Sequence, residues 1–259
     1  MPSAGPGCNT GIMRPAFVAP LLCAAACGFR QVQGPPGEEQ VVVQGVLSPQ
    51  ASEQVLWIER TIPAGDPIVV ALRPLATPPA RVEVRDTSGA VFSYQPDTAN
   101  PARFVATFTP VHGQRYDLLV EAGSHVIRGS TTVPAPLTIL DPAADTVPRP
   151  APGDSGLRLS WASGSSPWVL IYVTRPRDTV LAFPLMLVRR DTSALLPYFF
   201  ISSYDSTLIV SVLGVDSVTA RVFNPDRSFT SNPAFEGNLT GGPGLFGATT
   251  SDRFVLRAQ

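Results

Sequence analysis

Apolar residues recur at every second position in short runs along most of this chain, the period of a strand with one buried face. Residues 81–85 (RVEVR) show it most plainly: Val82 and Val84 share one face, and Arg81, Glu83 and Arg85 share the other. The turn residues Asp86, Thr87, Ser88 and Gly89 follow, and 90–94 returns as the hairpin partner. Comparable runs at 40–47 (QVVVQGVL), 54–59 (QVLWIE), 67–73 (PIVVALR), 103–109 (RFVATFT), 115–121 (RYDLLVE) and 125–133 (HVIRGSTTV) bring the first half to about eight strands. A second set comprises 157–162 (LRLSWA), 167–174 (PWVLIYVT), 179–189, 197–202 (PYFFIS), 207–215 (TLIVSVLGV), 217–223 (SVTARVF) and 253–258 (RFVLRA). Pro184 places the third of these at an edge or divides it in two.

Short strands at this spacing predict an all-β fold of two sandwiches. The first sandwich is expected over residues 40–134 and the second over 157–259. Residues 135–156 are dense in proline and read as a linker stiffened by polyproline-like segments. Between Phe223 and Arg253 lies a long stretch of Asn, Pro and Gly, including 238–247 (NLTGGPGLFG). A loop of that length is functional or folds down as a lid. Its simplest packing lays backbone against a sheet and inserts Leu245 and Phe246 as plugs.

The N-terminus carries a different pattern. From Met13, the expected translation start, one charge (Arg14) precedes a short apolar run that ends in Ala24, Ala25, Ala26 and Cys27. Small residues before a cysteine are what a lipoprotein signal peptidase requires, so 1–26 reads as a signal peptide and Cys27 as the lipidated residue. An ordinary secretory signal cleaved nearby is the alternative. The run is shorter than the roughly 20 apolar residues that span a bilayer. Residues 27–39, with Gly-Pro-Pro-Gly and Glu38-Glu39, read as a lipidated tether. The expected address is the outer membrane, lipid-anchored, with the leaflet left open.

Composition narrows the chemistry. Hydrophobic content of 44% supports real cores, while charged residues are only 15% and the formal net charge is −1. No basic patch for nucleic acid is visible. All 19 basic residues are arginine, which removes Schiff-base, P-loop and serine–lysine chemistry. The two histidines, His112 and His125, have no metal-binding or triad spacing around them, and read as surface residues. Asp141, Asp145 and Asp154 lack the alternation of a calcium loop. No cofactor, metal or catalytic residue is therefore expected. Aromatics offer a candidate sugar-stacking platform: neighbours on a strand point to opposite faces, so Trp168 and the triplet Tyr198, Phe199 and Phe200 cannot all turn inward, and Trp168, Tyr198 and Phe199 are candidate binding residues. Leu245 and Phe246 join them as candidate binding residues.

Three groups of residues carry a family resemblance. Residues 80–89 (ARVEVRDTSG) followed by 113–120 (GQRYDLLV) resemble a carboxypeptidase-regulatory or Ig-like sandwich, with Tyr116 placed like a tyrosine corner. Leu159-Ser160-Trp161 and Ile171-Tyr172-Val173 resemble the early strands of a fibronectin type III domain. Residues 238–247, together with the lipobox and 41–45 (VVVQG), are similar to a family of envelope lipoproteins described as domain of unknown function 4249. Members of that family are often encoded beside TonB-dependent, SusC-like outer-membrane receptors. The resemblance implies a non-enzymatic accessory that binds a receptor or a ligand, in nutrient capture. A structural or adhesive envelope module that binds a surface polymer, with a glycan as its partner, and a hydrolase with a cryptic site stand as the rival readings.

Overall fold

A computed structural model describes residues 40–61, 73–75, 77–151, 153–164, 168–175, 186–189, 192–202, 207–222 and 237–257. Residues 1–39, expected as signal peptide, Cys27 and tether, lie outside this set, as do most of the expected strands at 67–73 and 179–189.

In the first half the alternation becomes strand directly. β1 (Val41–Leu47) and β2 (Glu53–Arg60) are antiparallel, each burying every second side chain. Their turn is tied down by Gln54, whose Oε1 accepts the Ser48 N–H (2.9 Å) while its Nε2 donates to the Ser48 and Phe108 carbonyls (3.0 and 3.3 Å). A buried amide with its polar atoms satisfied in this way costs the fold little. There follow β3 (Arg81–Asp86), β4 (Val91–Ser93), β5 (Gln95–Pro96), β6 (Arg103–Thr107), β7 (Arg115–Ala122) and β8 (His125–Thr132). The β3–β4 turn is closed by the Asp86 carboxylate, which accepts from the Ser88 N–H (2.9 Å), the Ser88 hydroxyl (2.7 Å) and the Ala90 N–H (2.9 Å). Gly89 supplies the positive φ (89°) that the turn requires. Before β7, the Tyr116 hydroxyl accepts the N–H of Val111, five residues upstream, at 2.9 Å, the tyrosine-corner arrangement.

The proline-dense segment differs from the linker expected of it. It carries two strands, β9 (Leu137–Asp141) and β10 (Thr146–Pro148), the first with Leu137 buried in a core. The apolar run from Leu137 outweighs the prolines, which fall at strand ends and bends, where a missing N–H costs nothing. Next come β11 (Gly156–Ser163), β12 (Trp168–Thr174), β13 (Met186–Arg189) and β14 (Ser193–Pro197). Residues 198–202, expected as strand, are the short helix α1 (Tyr198–Ser202), which turns Ile201 into the core. After β15 (Leu208–Val215), the stretch expected as another strand is the helix α2 (Ser217–Val222). Asp216 decides this: its Oδ1 accepts the Thr219 N–H at 2.8 Å, an N-cap, and its carbonyl accepts from Ala220 at 3.0 Å. The last described element, β16 (Gly244–Arg257), takes in the end of the Gly-rich stretch expected as loop.

The strands form a nine-stranded sheet ordered β13-β12-β15-β16-β1-β2-β6-β5, with β10 also on β16, and two smaller sheets, β4-β3-β7-β8 and β14-β11-β9. β16 is the hinge of the arrangement. Residues 244–248 run parallel to β1, and residues 249–256 run antiparallel to β15. Side chains two apart along β16 share a face, so Phe246 and Ala248 enter a first core under β4-β3-β7-β8. Phe254 and Leu256 enter a second core under β14-β11-β9. The two sandwiches therefore share one continuous sheet. At the joint between the cores, Thr250 accepts from Gln50 Nε2 (3.1 Å) and Asp252 accepts the Ile139 N–H (2.8 Å). A small third cluster, Leu170, Tyr172, Val215 and Ala220, lies on the other face of β12 and β15, where α2 packs.

Candidate partner-binding face

The strict alternation of β3 and β7 gives the four-stranded sheet an inner face of Val82, Val84, Tyr116, Leu118 and Val120 and an outer face of charge. Register arranges that outer face in rows. Arg81 stands opposite Glu121, Glu83 opposite Leu119, and Arg85 opposite Asp117. Across β7, Asp117 faces Ser130 and Leu119 faces Arg128. The rows line an open concavity of about 700 Å³, whose far wall is formed by Asn238 and Thr240 beyond β8.

Two ion pairs organise the charges. Arg81 Nη2 lies 2.8 Å from Glu83 Oε2, and Arg115 Nη2 lies 2.9 Å from Asp117 Oδ1. The hydrogen bond from Arg81 holds the Glu83 carboxyl below the usual carboxylate range, and the same bond raises the Arg81 guanidinium. The Arg115–Asp117 pair is exposed and the Arg81–Glu83 pair half-buried, so each adds little stability. The guanidinium groups of Arg85 and Arg128 make no hydrogen bond or ion pair among the described residues.

The wall beyond β8 explains the Gly-rich stretch. The Asn238 side chain donates from Nδ2 to the Ser130 and Phe246 carbonyls (both 2.7 Å) and accepts the Phe246 N–H at Oδ1 (2.9 Å). Thr240 bridges Arg128 through both backbone groups, at 2.8 and 3.0 Å. The Val43 N–H then donates to the Pro243 carbonyl at 3.1 Å. Residues 238–243 thus cover the edge of β8 and carry the chain to β1, closing one side of the first sandwich. Closure leaves no room for side chains: a Cβ on Gly241 (φ +88°) would lie 2.1 Å from the Val126 carbonyl oxygen, and one on Gly244 (φ +140°) 1.9 Å from that of Val43.

The residues singled out by sequence fall elsewhere. Phe246 is wholly buried in the first core and Leu245 is nearly so, which makes both structural plugs. Trp168 is half-buried against the cluster on the α2 side of the sheet. Tyr198 is half-buried and Phe199 is 62% exposed, both on α1, whose Ile201 enters the second core on the other side of that sheet. The structure does not bring Trp168 and the Tyr198–Phe199 pair into one aromatic platform. Cys27 lies outside the described residues. His112 donates from Nδ1 to the Pro134 carbonyl at 2.7 Å. Among the described residues no three His, Cys, Asp or Glu groups come together as a metal site, and no helix is long and apolar enough to cross a membrane. In the sequence the charged residues of this face are scattered singly over three strands, so no local motif marks it. The signal was present in the polar phase of RVEVR and RYDLLVE, which only register unites.

The family described as domain of unknown function (DUF4249) matches residues 31–173. The chain belongs to that family. The DUF4249 match ends within β12, so the closing strand β16 lies beyond it although it completes the sheet that β1 and β2 begin. No curated protein matches the chain.

Proposed function

We propose that this DUF4249 chain is a non-enzymatic cell-envelope lipoprotein, held at the outer membrane by acyl chains on Cys27, that binds a protein partner. The partner is an outer-membrane TonB-dependent receptor, which the chain serves as an accessory. The observation that carries the reading is the outer face of β3, β7 and β8: seven charged side chains of both signs, held on paired strands around an open concavity. Mixed charges in fixed register orient an incoming protein and reject wrong partners more than they add affinity. Two acyl chains, at about 0.8 kcal/mol per buried methylene, would keep the module on its membrane.

The test is affinity capture of the lipidated protein from its own solubilised envelope, with Cys27→Ala and Arg85→Glu/Arg128→Glu variants alongside. A TonB-dependent receptor recovered in stoichiometric amount with the wild type, and lost with the charge variant, is the expected result. Recovery of no membrane protein by the wild type would overturn the receptor reading.

A further inference from the structure

The charged face has a definite spacing, and the spacing selects a ligand. Arg81 is committed to Glu83 and faces Glu121, and Arg115 is committed to Asp117. That leaves Arg85 on β3, whose charge reaches the Glu83 carboxylate and which stands opposite Asp117, and Arg128 on β8 as the cations of this face that make no side-chain hydrogen bond or ion pair among the described residues. Arg85 shares a row with Asp117 and Ser130, and Arg128 shares the adjacent row with Leu119. They stand two strands and one row apart, which at strand spacings near 4.8 Å and a rise near 3.3 Å per residue is about 12 Å between Cα atoms. The half-buried Leu119 lies on the strand between them.

An extended peptide advances about 13 Å in four residues and keeps residues i, i+2 and i+4 on one side. We propose that the concavity on the four-stranded sheet takes an extended segment of a partner protein with acidic side chains at i and i+4. Arg85 and Arg128 receive the two carboxylates, and the i+2 side chain rests on Leu119. The proposal rests on the partner-binding reading above and gives it a recognition rule. The lining includes no aromatic ring, so a glycan would find no stacking platform here. A free phosphate would engage one arginine and gain nothing from the second at this separation. Fork-shaped guanidinium groups suit carboxylates particularly well.

Fluorescence anisotropy on the intact chain in detergent tests the rule. The probes are synthetic nine-residue Gly/Ser peptides carrying Glu at i and i+4, or at i and i+1, each with Leu at i+2. The i, i+4 peptide should bind more tightly, and raising salt from 50 to 500 mM should weaken it, because exposed pairs are screened. Arg85→Gln and Arg128→Gln should each cost about two- to fivefold. Arg115→Gln, whose guanidinium is already engaged, should cost less than either. Equal binding of the two peptides, no effect of the Arg85 and Arg128 variants, or tighter binding of polygalacturonate or inorganic phosphate would overturn the rule. The envelope capture separates the two levels. If wild type and the double Arg→Glu variant recover the same receptor, the partner reading stands and the charged-face assignment falls.

Discussion

Asn238 stands in for a backbone unit between β8 and β16, giving two hydrogen bonds and taking one where the strands diverge. Replacing it with alanine leaves the Phe246 N–H and two carbonyls short of partners in a part-buried seam. At about 1 kcal/mol per bond, Asn238→Ala should lower stability by about 2–4 kcal/mol, read as a shift in the urea midpoint with little change in slope. Asp86 makes a prediction of a different kind. The Ser88 hydroxyl, then the Ala90 and Ser88 N–H groups, hold its carboxyl below the usual range. A carboxylate depressed in the folded state adds stability above its unfolded pKa, near 4, and loses it as pH falls through the lower folded value. The gap in urea midpoint between wild type and Asp86→Ala should therefore be widest at neutral pH and close below about pH 4.

At the scale of elements, Asp216 joins the two halves through one carboxylate. Oδ1 caps α2, and Oδ2 accepts the hydroxyl of the buried Thr131 at 2.6 Å. Asp216→Ala should cost about 2–3 kcal/mol, while Thr131→Val, which spares the cap, should cost about 1 kcal/mol in the same unfolding assay. Gly244→Ala should be worse than Asp216→Ala, since its Cβ meets the Val43 backbone and no rotamer relieves the overlap. The same elements show what the sequence made legible. Alternation located β1, β2, β3, β6, β7 and β8 because each has one wet and one dry face. It failed at 197–202 and 217–223, where six or seven residues are too few to separate period 2 from period 3.6. At the second of these, Asp216 ahead of Ser217-Val218-Thr219 was the helix-start signal. The tight-packing reading of 238–247 anticipated where Leu245 and Phe246 lie, whereas strand at 137–148 was hidden by its prolines. Of the charged face only the polar phase of each strand was legible, because the cross-strand register that unites the strands is a tertiary fact.

At the scale of the molecule, β16 makes the halves interdependent. A chain cut after residue 236 would lose Phe246 and Ala248 from one core and Phe254 and Leu256 from the other, and expose the paired edges of β1 and β15. Such a truncation should be degraded by protease at concentrations that leave the intact chain whole, and the intact chain should unfold in one transition at both cores. Shared strands also set a mechanical direction. β1 and β16 are parallel along five residue pairs, so β1 begins and β16 finishes at opposite ends of the ladder. Tension applied between Gln40 and Arg257 drags these neighbours lengthwise past each other and loads their hydrogen bonds together, instead of unzipping them singly. A protein held at one end and tugged at the other would meet that pull along its stiffest axis.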